Sequence, residues 1–289
     1  MSPFYKTVPI ARWRLAPEWL ILSGLFFVTF WPTLSWMWGR FTFPGSFYSH
    51  GPLIPLVAGF ILWARRDRFR ASPERPRAAG LALLIPALAL HCISTATDIH
   101  VISGFAMVAA LCGVSLYLMG GPFTLASSPA LVLILFMVPL PQVFMIDTAF
   151  LMQVMSAHAT ARLLNLIGVA IIREGVVLAV PGRFTLQIDY ACSGLRSLLV
   201  FVTAAWVIIA LSPRIRALPS ILMLALSFPL ALLSNVVRLA TTVLSGIAFG
   251  YSGVMHMAAG IVSFAVYAGL MFFIGRKVLW RKDSSFSSA

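Results

Sequence analysis

Long apolar runs alternate with short polar loops along the whole chain, and their lengths set the expected architecture. A hydrocarbon core about 30 Å thick is crossed by about 20 helical residues rising 1.5 Å each. On that ruler residues 18–38, 51–64, 78–97, 101–119, 130–144, 193–211, 219–240 and 254–274 read as eight spans. The second run reaches only about 21 Å as a helix, so it borrows its first turn from the residues before His50. Between 145 and 172 a weaker run mixes Asp147, Gln153, His158, Arg162 and Asn165 with Phe150, Leu151, Val154, Met155, Leu163 and Leu164. That mixture reads as an amphipathic helix on the outer interface, with a re-entrant pair as the alternative of equal parity. From Glu174 to Asp189, in the string REGVVLAVPGRFTLQID, apolar and polar positions alternate around Pro181-Gly182, which is a hairpin signature. The expected fold is an all-α polytopic membrane protein with about eight transmembrane helices, an outer-face interfacial helix and a short β-hairpin before Cys192. One domain covers 1–282, and the polar tail 283–289 reads as disordered.

Composition agrees with lipid as the solvent: 60% of the 289 residues are hydrophobic and 10% charged, where soluble domains average about 45–50% and about 25%. The net charge of +13 carries topology rather than affinity for nucleic acid, because the basic residues sit in short clusters between apolar runs. Arg65, Arg66, Arg68, Arg70, Arg75 and Arg77 follow the second run, Arg214 and Arg216 the sixth, and Arg276, Lys277, Arg281 and Lys282 the last. The positive-inside bias makes these ends, and both termini, cytoplasmic. The first run, preceded by Lys6, Arg12 and Arg14, is too long for a signal-peptide core and reads as an uncleaved span.

Cys92, Cys112 and Cys192 show neither CxxC nor metal-ligand spacing, so no metal and no organic cofactor is expected. Cys92 and Cys112 read as core residues. The topology count puts Cys192, Arg238, His256 and His50 on the outer face. Cys192 precedes the first turn of a span, where the helix dipole favours a thiolate, and Arg196 stands four residues on, so both are expected to push the thiol pKa down. His256 can serve as acid or base and Arg238 as an oxyanion binder, which together are the parts of acyl transfer through a thioester. Asn235, one turn before Arg238, reads as hydrogen-bond support. Each residue also has a plainer reading: Cys192 as a packed small side chain, Arg238 as a snorkelling cation, Arg196 as a partner that orients Cys192 or meets Asp189, and His256 or His50 as a helix cap.

The strings GVVLAVPGRFTLQIDYACSGLRS, SNVVRLATT, MHMAAGIVSF and YSHGPLIPLVAGFILW resemble the exosortase/archaeosortase family. The resemblance runs from Tyr48 to about Phe273, and the hairpin leading into ACSGLRS is its most specific part. It implies Cys192, Arg238 and His256 as the catalytic residues. It also implies a cysteine transpeptidase or endopeptidase of the bacterial inner membrane, acting at the periplasmic face. The implied substrates are secreted proteins ending in a Pro-Glu-Pro-type motif, a single transmembrane helix and a basic cluster. The acyl group would pass to water or to a lipid or envelope acceptor, and bacterial members are tied to exopolysaccharide production. Membrane lipids are partners by composition. A rival class remains open to the residues themselves: a transporter or polysaccharide-export component whose polar pathway is lined by Arg238, His256 and His50.

Overall fold

A computed structural model describes residues 17–69, 77–213, 215–250 and 253–279, with side chains described for all of these except 17–19, 77, 191 and 253–256. The basic residues Lys6, Arg12, Arg14, Arg70, Arg75, Arg214, Arg281 and Lys282 and the tail 283–289 lie outside the described residues.

The described residues form α1 (Pro17–Thr29), α2 (Trp31–Thr42), α3 (Ile54–Ala64), α4 (Arg77–Ala96), α5 (His100–Met119), α6 (Gly121–Leu135), α7 (Gln142–Leu166), α8 (Leu195–Leu211), α9 (Ala217–Phe249) and α10 (Gly253–Leu279). Three short strands, β1 (Ile172–Glu174), β2 (Val177–Val180) and β3 (Phe184–Gln187), stand between α7 and α8. Among the described residues, four helices (α4, α5, α9 and α10) are long and apolar enough to cross a membrane. The pair α1 and α2 passes together as a fifth, and α3, α6 and α8 are shorter apolar helices. The chain is an all-α, multi-pass membrane protein.

Prolines redraw two of the expected spans. The run 18–38 is bent by 68° between α1 and α2, where Pro32 stands in the first turn of α2 and cannot donate a backbone hydrogen bond to the turn before it. The run 130–144 is two pieces. The helix α6 stops at Leu135, Pro139 and Pro141 fall in the gap, and α7 starts at Gln142.

The chain groups into two compact units, residues 1–44 with 48–140, and residues 45–47 with 141–289. In the first, α4 and α5 approach so closely that only glycine fits. A Cβ on Gly80 would lie 2.6 Å from the Tyr117 backbone nitrogen, and one on Gly113 would lie 2.9 Å from that of Leu84. Small residues at a helix contact are the usual means of close packing in lipid, where burial gives no hydrophobic gain between helices.

The same unit buries a polar cluster at the α1/α2 bend. His91 Nε2 donates to the Thr29 carbonyl at 2.9 Å, its Nδ1 pairs with Ser103 Oγ at 2.6 Å, and Ser103 pairs with Thr33 in turn. His91 thus gives the carbonyl of Thr29, the last residue of α1, a side-chain partner. With His91 facing inward, the next residue turns about 100° around the helix. Cys92 is accordingly exposed rather than in the core, whereas Cys112 is half-buried.

In the second unit β1, β2 and β3 make an antiparallel sheet in that order, with Glu174 opposite Val177 and Val180 opposite Phe184. The expected hairpin is its β2–β3 half, turning at Gly182 with φ +71°. Alternation sends Leu178, Val180, Leu186 and Ile188 to one face, where they form a core with Ala157, Ala161 and Leu164 of α7 and Leu239, Ala240 and Val243 of α9. The helix α7 is amphipathic in a different sense from the expected one. Its buried face carries the polar Gln153, Ser156 and Thr160 among Met152, Ala157 and Leu164, and large apolar residues such as Phe150 and Leu151 stand outward.

The α4–α5 contact makes the first prediction. Gly113→Val should cost about 1–3 kcal/mol, because the added methyls meet backbone that cannot move aside. Thermal unfolding in detergent should show a lowered midpoint, while a valine at exposed Gly24, which has nothing within 4 Å, should leave it unchanged.

Candidate active site

Four of the residues singled out in the sequence come together in the second unit. Strand β3 ends at Gln187, and the chain then makes a 3₁₀ turn over Tyr190–Cys192 before α8 begins. The Cys192 N–H donates to the Asp189 carbonyl at 2.8 Å, closing that turn. Gly194 caps α8 with φ +89°, a left-handed conformation that side chains disfavour, and a Cβ there would lie 3.0 Å from Asn235 Cβ. Ser193 Oγ accepts from the Leu195 N–H at 3.2 Å, taking one of the orphan donors at the helix start.

Cys192 therefore stands before α8 and not on it, so the expected relation of Cys192 and Arg196 across one helical turn does not hold. Gly194, with its left-handed φ, stands between them, and Arg196 still acts on the thiol electrostatically. The thiol is met first from α9. Arg238 donates a hydrogen bond to Cys192 and acts on it electrostatically more strongly than Arg196 does. Asn235, three residues earlier on α9, donates from Nδ2 to the Cys192 carbonyl at 3.1 Å and to Ser156 Oγ of α7 at 2.9 Å. One face of α9 thus holds both ends of the same residue, its backbone carbonyl and its sulfur.

The expected direction of the thiol pKa is reversed. Burial pushes the Cys192 thiol above the ordinary range. Arg238 opposes that most strongly, Asp189 adds to it and Arg196 again opposes it, and the balance stays upward. Two arginines do not offset the loss of water around a sulfur packed at the edge of the sheet core. At rest the sulfur is held as a thiol.

The cations keep donors in reserve. Nε and Nη2 of Arg238 and Nε of Arg196 are buried without a hydrogen-bond partner among the described residues, as is Oδ1 of Asn235. The stem of Arg238 runs against α10, where a Cβ on Gly260 would lie 3.2 Å from Arg238 Cδ. Unpartnered buried donors are costly in the empty protein and become binding groups for an oxygen that brings negative charge.

His256 lies in the first turn of α10, and its side chain lies outside the described residues. His50 belongs to the first unit, just before the 3₁₀ turn Gly51–Leu53, stacked on Tyr48 with ring centroids 6.2 Å apart. Both its ring nitrogens are buried without a partner among the described residues, and burial lowers its pKa. Gln153 is one of the polar residues that made the run 145–172 read as an interfacial amphipathic helix. It is instead 3% exposed and donates to the Ile188 carbonyl at 2.7 Å. The spacing of Gln153, Ser156 and Thr160 at i, i+3 and i+7 was the available signal.

The family model for transmembrane exosortases matches residues 38–273. No curated protein and no solved structure matches the chain.

The balance at the thiol makes a prediction that requires no substrate. In a Cys92→Ala, Cys112→Ala background, alkylation of Cys192 by iodoacetamide should accelerate only above the ordinary thiol range near pH 8.5. Arg238→Gln should move that rise to still higher pH, and Arg196→Gln should move it less, because Arg196 acts on the thiol more weakly.

Proposed function

The chain belongs to the transmembrane exosortase family, and from that membership we propose that it is a membrane-embedded cysteine transpeptidase or endopeptidase that cleaves C-terminal sorting signals. Its substrates are secreted proteins held by one C-terminal transmembrane helix, with a Pro-Glu-Pro-type motif before the helix and a basic cluster after it. Cleavage takes place on the periplasmic side of the inner membrane, and both termini of the enzyme are cytoplasmic. The observation that carries this reading is the hydrogen bond from Arg238 to Cys192, made while Nε and Nη2 of Arg238 have no partner among the described residues.

The steps follow from the groups present. A base removes the Cys192 proton as the sulfur attacks the scissile carbonyl, forming the C–S bond and a tetrahedral oxyanion. Arg238, already beside the sulfur, offers its spare donors to that oxygen as charge develops. The C–N bond then breaks, the amine leaves with a proton, and a thioester remains on Cys192. Water or an amine acceptor releases the acyl group and returns the thiol. His256 is the assigned base and acid. A thiol held protonated at rest by burial gives that role work to do, and His256 stands four residues, about one turn, before the Gly260 that Arg238 packs against.

Co-expression with a substrate carrying the C-terminal signal tests the proposal. Cys192→Ala, inserted and expressed at the normal level, should abolish processing, a loss on the order of 10³-fold or more. Arg238→Gln should lower kcat by about 10²–10³-fold, the usual cost of one oxyanion donor, with little change in KM. Processing that persists in Cys192→Ala, measured as loss of the C-terminal helix by immunoblot, would refute the assignment.

A further inference from the structure

The turn that carries Cys192 is held at both ends by side chains that the proposed chemistry does not use. At its start the Ile188 carbonyl accepts from Gln153 Nε2 at 2.7 Å, and at its end the Cys192 carbonyl accepts from Asn235 Nδ2 at 3.1 Å. Between them the chain closes on itself through Cys192 N–H to Asp189 carbonyl at 2.8 Å. Both amide orientations are dictated by chemistry, since a carbonyl only accepts and must face nitrogen.

The second hold leads back to the same helix as the first. Asn235 spends its other N–H on Ser156 Oγ at 2.9 Å, and Ser156 lies three residues after Gln153 on α7. Gln153, Ser156 and Asn235 are 3%, 0% and 2% exposed, so water does not compete for these bonds. The strand β3 before the turn is itself fixed through the Ile188 N–H, which donates to the Val176 carbonyl at 3.1 Å. Two amide contacts four residues apart determine where the intervening backbone, and hence the sulfur, must sit relative to Arg238.

We propose that Gln153 and Ser156 of α7 are positioning residues for the nucleophile, Gln153 directly through the Ile188 carbonyl and Ser156 by fixing the Asn235 amide that holds the Cys192 carbonyl. The inference rests on the reading of Cys192 as the reactive residue. It gives α7 a role in catalysis through its buried polar stripe, and it separates that role from the sheet core that α7 also supports with Ala157, Ala161 and Leu164.

Gln153→Met keeps length and volume while removing the donor, and Ser156→Ala is a smaller change that removes only the hydroxyl. Two readouts separate positioning from support of the fold. In the processing reaction both variants should lower kcat by about tenfold or more while KM and the thermal midpoint stay near those of the unaltered enzyme. Independently of any substrate, iodoacetamide profiles in the Cys92→Ala, Cys112→Ala background report the thiol among the charges that surround it, Arg238, Arg196 and Asp189. Gln153→Met should move the rise in reactivity to higher pH, as Arg238→Gln does, and should add nothing further in an Arg238→Gln background, because its effect operates through that contact. The alkylation result does not require peptide cleavage, so a failure of the proposed reaction leaves it standing. An unchanged profile, a shift that persists without Arg238, or a loss of kcat that merely tracks a lowered thermal midpoint would overturn the positioning role.

Discussion

The site in the second unit depends on what α9 does to one residue. Asn235 and Arg238, three positions apart on one face of that helix, take hold of the carbonyl and the sulfur of Cys192 respectively. Everything nearby makes that double hold possible. Gly194 reverses the chain with a positive φ and leaves the room that Asn235 fills, and α7 supplies the serine that fixes the Asn235 amide. Gly260 lets the Arg238 stem pass close to α10. The three-stranded sheet delivers the turn to this spot by packing Leu178, Val180, Leu186 and Ile188 onto α7 and α9.

The electrostatic character of the site follows from that packing. Burial raises the thiol, and among the described residues Nε and Nη2 of Arg238 and Nε of Arg196 are buried without a hydrogen-bond partner. Such an arrangement favours the state in which negative charge arrives. In the proposed reaction the donors of Arg238 that Cys192 does not use would meet the oxyanion, and a protonated sulfur would require a separate base.

Much of this was legible in the chain. The apolar runs and their lengths gave the membrane class, the alternation around Pro181-Gly182 gave a hairpin, and the strings around Cys192 and Arg238 named residues that the structure places together. Family membership over 38–273 agrees with the resemblance those strings carried. The breaks at Phe30 and at 136–141 were signalled by Pro32, Pro139 and Pro141, but hydropathy averaged over a window of residues does not register a missing N–H. Other features could not be read locally. The direction of the thiol pKa depends on how much packing surrounds the sulfur, which no neighbour in sequence reports, and the start of α8 after Cys192 was set by the left-handed Gly194. Gln153 was misread because its stripe of three polar residues faces the protein and not water, a choice made by α9 and by the Ile188 carbonyl it meets.

The central claim is that Cys192 becomes acylated while Arg238 holds the developing charge. The most direct test is mass spectrometry of the Cys192-containing peptide after acid quenching of the purified enzyme during turnover of a signal-bearing substrate. The account predicts a substrate-derived acyl mass on Cys192 that hydroxylamine removes and that Arg238→Gln reduces in proportion to its rate. Efficient turnover with Cys192 unmodified at every time point, or an acyl adduct on another residue, would contradict it.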